Sequence, residues 1–195
     1  MTKTKANSSD YQTVYAKEAG SIAAPTAGLH FTKKLIVKLK SKGIQMLEIM
    51  LHVGRGTFLP VSTDDIRQHK MHPEFFRIDK RTAKKLNQFK KDRRRIVAIG
   101  TTSVRVLESN FKRGKFYAGA GETDIFIYPG GHYWQAVDSL ITNFHLPKST
   151  LIMLVASFLG SKGVKNPIKK VLQLYEIAKK KHYRFYSFGD AMFIV

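Results

Sequence analysis

The chain has 195 residues, 43% of them hydrophobic, which suffices for one domain with a real core. Its 34 lysines and arginines outweigh 14 aspartates and glutamates, and the net charge of +20 points to an anionic partner, nucleic acid first. The absence of cysteine excludes disulfides, zinc thiolates and thiol nucleophiles, and with no uncharged apolar run of ~18 residues and no secretory signal the expectation is a cytoplasmic protein without a membrane span.

Residues 1–10 are polar and read as a disordered lead before a single α/β domain over residues 11–195. Leu35, Ile36 and Leu39 recur at helical spacing and predict a helix over Thr32–Lys42, stopped by Gly43. Ile44–Val53 alternates as a strand would, and the Gly54–Gly56 turn breaks it. A basic amphipathic helix is expected over Arg81–Lys91, then a short buried strand, Ile96–Ile99, ending in Gly100. Thr101 and Thr102 open a helix that runs to about Asn110. Thr123–Tyr128 reads as a strand, with Tyr133–Val137 as its hairpin partner. Ser149–Leu159 is a nearly all-apolar helix, so it should be buried all round. Pro167 starts an amphipathic helix to Lys181, and the closing YRFYSFGDAMFIV is strand-like around a Gly-Asp turn. Strands alternating with helices predict an α/β fold: one mixed sheet with helices on both faces.

Five polar islands interrupt this pattern. In AAPTAGLHF (23–31), small residues and Gly28 allow close backbone approach to a ligand, while Thr26 and His30 offer hydrogen bonds. A helix N-cap explains the same residues. In LHVGRGTFLP (51–60), His52 precedes a turn, Gly54-Arg55-Gly56, whose backbone N–H groups suit a phosphate. It lacks the Walker and dinucleotide-binding spacings, so an ATPase or dinucleotide enzyme is not supported. HKMHPE carries His69, His72 and Glu74. A metal-dependent hydrolase is one reading of it, but no second ligand set accompanies these residues, and substrate contact is preferred, with no metal. GTTSVRVLE (100–108) puts Thr101, Thr102 and Ser103 at a helix N-terminus, where a carboxylate or phosphate binds, with Arg105 placed to add a forked cation; ordinary capping is the alternative. The densest island is Thr142, Asn143, His145, Lys148, Ser149 and Thr150 in LITNFHLPKSTLIMLV. An N-cap accounts for Ser149 or Thr150 but not for Asn143 or His145. Arg184 among Tyr183, Phe185, Tyr186 and Phe188 suits base stacking, although the phenylalanines also fit a packed core.

In order along the chain stand YQTVYA, AAPTAGLHF, LHVGRGTF, KMHPE, GTTSVRVLES, TDIFIYPG, ITNFHLPKSTLIMLV and YRFYSFGDAMFI. Together they resemble the S-adenosylmethionine:tRNA ribosyltransferase-isomerase family of queuosine biosynthesis, from about Tyr11 to Val195. The resemblance implies transfer of the ribosyl unit of S-adenosylmethionine, as co-substrate, onto 7-aminomethyl-7-deazaguanine in a tRNA anticodon stem-loop. The ribose is rearranged to give epoxyqueuosine, and adenine and methionine leave. Such chemistry needs a base beside the carbon next to the sulfonium and a hydrogen bond or proton for adenine. His52 and His145 are the candidates, with His30 behind them. The substrate-binding candidates are Thr26, Gly54, Arg55, Gly56, His72 and Thr101–Ser103. With them go Arg105, Asp124 (in TDIFIYPG), Asn143, Lys148, Arg184 and Asp190.

Three residues depart from the family pattern: Arg55 where a small residue is usual, Pro73 where Ser is, and Gly131 where an aromatic is common. Family members carry a further N-terminal region with an inserted β-barrel domain. The chain is therefore expected to be the C-terminal portion, folding its α/β core but with little activity alone, and a separate chain is a candidate source of the barrel. A non-catalytic, basic RNA-binding remnant is the alternative.

Overall fold

The computed structural model describes residues 7–54 and 65–195. The strands and helices are α1 (Lys33–Ser41), β1 (Met50–Leu51), β2 (Glu74–Ile78), α2 (Lys80–Lys91), β3 (Val97–Ile99), α3 (Thr101–Asn110), β4 (Gly119–Thr123), β5 (Ser139–Asn143), α4 (Thr150–Ser161), α5 (Pro167–Lys180) and β6 (Ala191–Ile194). Short 3₁₀ helices occupy Ser8–Tyr11, Thr26–His30 and Ile66–Gln68.

The α/β class holds, but the single mixed sheet does not. Two separate three-stranded sheets form, β1-β2-β4 and β3-β5-β6. The first is antiparallel throughout; in the second β3 runs parallel to β5, and β6 antiparallel to it. The physical reason lies in β2. Its residues alternate buried and exposed, with Glu74, Phe76 and Ile78 inward and Phe75 and Arg77 outward. That period of two makes a one-sided strand. Its partner is the glycine-rich β4, not a hairpin built from Tyr133–Val137. A Cβ on Gly121 would come within 3.2 Å of the Phe76 ring, so the small residues of β4 make room for that ring. The strand expected at Thr123–Tyr128 accordingly lies earlier, and that expected at Ile44–Val53 shrinks to Met50–Leu51.

The helices follow their sequence signals closely. Thr32, Asp79 and Ser149 each cap a helix by accepting a hydrogen bond from a backbone N–H of its first turn. Pro167 sits in the first turn of α5, where its missing N–H has no helical partner to lose. α4 is buried on nearly all sides, with Phe158 and Ala156 fully enclosed. It packs with Val104 and Leu107 of α3, Ala98 of β3, Leu140 of β5 and Val171 of α5 in the main core. A smaller cluster of Phe76, Ile78, Ala83 and Val106 lies under the first sheet. α3 therefore contributes to both clusters and holds the two sheets together.

Candidate functional site

Parallel pairing of β3 and β5 brings both of their C-terminal ends to one edge of the second sheet. In α/β folds that edge is where ligands bind. β3 ends at Gly100, whose φ of +89° is the left-handed conformation that favours glycine. The chain turns there directly into α3, whose first residues are Thr101, Thr102 and Ser103. The Ser103 hydroxyl is spent on the Ile99 carbonyl at 2.8 Å, whereas Thr102 is half-buried with its hydroxyl toward Gly100. The Gly100 N–H donates to Ile141 O at 2.8 Å, fixing the turn beside β5.

β5 was not foreseen as a strand, yet it supplies the centre of this edge. Thr142 and Asn143 are buried at its end. The Asn143 amide nitrogen donates to the Tyr186 carbonyl at 2.9 Å, while its Oδ1 is buried without a partner among the described residues. This bond draws the Tyr186–Asp190 loop onto the edge. Closing the base of that loop, Arg184 Nη2 lies 3.0 Å from Asp190 Oδ1, and the Arg184 N–H donates to Asp190 Oδ2 at 2.7 Å. Hydrogen bonds from Arg184 hold the Asp190 carboxyl below the usual carboxylate range, and proximity to His30 adds to the effect. Tyr11 packs edge-on against Phe188 at 4.6 Å, and Phe188 and Tyr186 remain about half exposed as aromatic surface beside the edge.

His145 is set between β5 and α4. Its ring Nε2 lies 2.7 Å from Thr142 Oγ1, and its backbone N–H donates to the Tyr175 hydroxyl of α5 at 2.9 Å. Burial pushes the imidazole down to about 4 and the Tyr175 hydroxyl up to about 12. The His145 ring is therefore neutral at physiological pH. Thr142 Oγ1 also reaches the Asn143 carbonyl, but at 3.4 Å. The shorter contact is to the ring, and the direction of that hydrogen bond follows the ring tautomer. Lys148 is exposed in the left-handed region, with φ of +59°, just before the capping Ser149.

The 3₁₀ helix Thr26–His30 closes the edge, lying against β5 with Ala27 facing Gly100. The close approach at Gly28 is made by the protein itself. A Cβ there would collide with the Tyr15 hydroxyl and come within 2.8 Å of Thr13 Cγ2. Thr26 is half-buried, and His30 Nε2 is buried without a partner among the described residues.

His52 lies on the first sheet. Its N–H donates to Phe75 O at 2.8 Å, and its ring stacks on Phe75 at 5.7 Å with Gly20 packed against it. The next turn is anchored by Glu74, whose Oε1 accepts the Gly54 N–H at 2.8 Å. That carboxylate also pairs with Arg105 of α3; both side chains are buried, and Arg105 reaches Thr123 O and Ile125 O as well. Arg105 is thus committed to the junction of the sheets. Burial lowers its affinity for the proton, and Glu74 with Asp124 restores part of it. Asp124 and His72 are exposed on the rim of this sheet, and His69 packs on Phe126 at 4.9 Å. Arg55 and Gly56 lie outside the described residues. Among the described residues, no cluster of three His, Asp or Glu side chains could hold a metal.

Residues 20–30 connect the two regions. Ile22 N donates to Val53 O at 3.1 Å and Val53 N to Ser21 Oγ at 3.0 Å, and the chain then runs into Thr26–His30 at the other edge. The structure therefore gathers Thr26, His30, Thr101, Thr102, Asn143, His145, Arg184 and Asp190 at one sheet edge, and His52 with Gly54 on the neighbouring sheet. Tyr15, Glu74 and Tyr175 were not read from the sequence as supports. Glu74 was singled out only beside His69 and His72, and in Tyr15, Glu74 and Tyr175 alike only the tertiary contact reveals the supporting task.

The chain matches the family model described as queuosine biosynthesis protein over residues 1–194. It is 56% identical over 185 residues to the S-adenosylmethionine:tRNA ribosyltransferase-isomerase of Carboxydothermus hydrogenoformans, covering 95% of this chain and 52% of that one. The Thermotoga petrophila protein of the same name is 54% identical, with 95% and 53% covered. The crystal structure of the S-adenosylmethionine tRNA ribosyltransferase of Thermotoga maritima superposes with a TM-score of 0.68 at 45% identity, covering 87% of this chain and 51% of that chain. The chain spans about half the length of these relatives.

Proposed function

The chain belongs to the queuosine biosynthesis protein family, and on that premise we propose that it carries ribosyl-transfer chemistry on tRNA. S-adenosylmethionine is the co-substrate. Its ribosyl unit moves onto 7-aminomethyl-7-deazaguanine in an anticodon stem-loop and is rearranged to give epoxyqueuosine, releasing adenine and methionine. The observation that carries this reading is the 56% identity to a ribosyltransferase-isomerase across 95% of the chain. The charge of +20 agrees with a polyanionic substrate.

The roles follow from the chemistry of each position. The sulfonium acidifies the adjacent carbon, and a base must take that proton; His52 is assigned this role. His145 is held neutral by burial, and its ring N–H is assigned the hydrogen bond to the departing adenine rather than the role of the base. Exposed Tyr186 and Phe188 give a flipped nucleobase a face to stack on. The half-exposed Thr102 and the first N–H groups of α3 suit an anionic group such as the methionine carboxylate.

The test is turnover of precursor tRNA with S-adenosylmethionine, read as adenine release. The assay uses the chain together with the relatives' other half, supplied in cis or in trans. His52→Ala and His145→Ala should each lower turnover by more than ~100-fold. Near-normal turnover in either variant removes that residue from the chemistry. RNA binding without turnover in every combination would favour the basic RNA-binding alternative.

A further inference from the structure

The opposite edge of the second sheet carries a different kind of surface. A cleft of about 550 Å³ opens there, lined by Lys90, Arg93, Arg94, Arg95 and Lys162 around Asp138, Ser139 and Val195. These residues come from the C-terminal ends of α2 and α4 and from the starts of β3 and β5. Ser139 and Asn143 are the two ends of β5, so the cleft lies roughly 13 Å from the candidate site, at about 3.3 Å per strand residue.

Two lysines have local duties. Lys90 Nζ lies 3.7 Å from Asp138 Oδ2, and Lys162 Nζ donates to Asp138 O at 2.7 Å. They offset the Asp138 carboxylate and the partial negative charge of two helix C-termini. The arginines are not spent in this way. Arg93, Arg94 and Arg95 are exposed and make no ion pair among the described residues. A tight turn presents them. Arg93 N donates to Lys90 O at 3.1 Å and Arg94 N to Phe89 O at 2.8 Å, and the Arg94 guanidinium lies 4.9 Å over the Phe89 ring. Ser139, 1% exposed, closes the floor of the cleft beneath them.

We infer that this cleft is a second RNA contact, binding backbone phosphate of the tRNA on the sheet edge opposite the candidate site. The inference rests on the tRNA reading above. Three guanidiniums match phosphate oxygens in forked pairs. Contacts of this kind fix register and carry no sequence information.

The test is binding of an unmodified tRNA transcript to the chain across a salt series. Replacing Arg93, Arg94 and Arg95 together by Gln should reduce the slope of log affinity against log salt by about 2 to 3. The same change at Lys179, Lys180 and Lys181, a basic cluster elsewhere on the surface, should reduce it by less than about 1. Equal slope losses from the two triple variants would overturn the proposal, since charge alone would then explain binding. Unchanged binding in the arginine variant would overturn it as well. In those outcomes the wild-type chain still binds tRNA and the functional reading survives, whereas a wild-type chain that does not bind tRNA sinks both.

Discussion

Arg105→Met tests how the two sheets are joined. Arg105 leaves α3, which packs in the main core, and pairs with Glu74 of β2, which in turn holds the Gly54 N–H. Both partners are almost fully enclosed, at 2% exposure for Arg105 and 3% for Glu74. Methionine keeps much of the arginine volume but leaves the Glu74 carboxylate buried without its cation. Stranding one member of a buried pair costs about 3–5 kcal/mol. Replacing both members together, as Arg105→Met with Glu74→Leu, removes the stranded charge and should recover part of that loss, less the hydrogen bond to Gly54. Urea unfolding followed by circular dichroism reads the loss as a lower midpoint at unchanged slope. A loss below about 1 kcal/mol for Arg105→Met would refute the reasoning, because water would then reach the junction and solvate Glu74.

The His145 imidazole, lowered to about 4, is neutral in the folded state while an unfolded chain protonates near 6.5. The unfolded state binds more protons between those values, so stability is full above pH 6.5 and falls as the pH drops to about 4, by up to about 3 kcal/mol. NMR titration of the ring checks this, and a midpoint near 6.5 would contradict it. Gly28→Ala should destabilise by about 1–3 kcal/mol through collision with Tyr15 and Thr13, measured as a fall in Tm; adding Tyr15→Phe, which removes the colliding hydroxyl, should recover part of it. Ser149→Ala should cost about 1 kcal/mol in the same measurement, from the lost cap on α4.

The helices were legible because their signals are local: Thr32, Ser149 and Pro167 mark starts, and apolar spacing marks faces. The strands were less so. β4 is built from Gly119-Ala-Gly-Glu-Thr, residues with little strand preference that are selected by the Phe76 ring above them. β5 carries buried Ser139, Thr142 and Asn143, so its polar residues concealed a central strand. Among the site candidates, Asn143 and His145 were visible as polar groups that capping does not need. The pairings of Arg105 with Glu74 and of Arg184 with Asp190 were not visible. The first spans 31 residues and links a helix to a strand of the other sheet, and the second depends on the tight turn at Gly189.

The most direct test of the central claim is amide NMR of the 22.2 kDa chain titrated with S-adenosylmethionine. The site described above predicts shifts at Gly100–Ser103, Thr142–His145, Tyr186–Asp190 and His52–Gly54, with Thr26–His30 following. Shifts confined to the Lys90–Arg95 turn, or spread without preference over the basic surface, would contradict the placement of the co-substrate at the C-terminal edge of the second sheet.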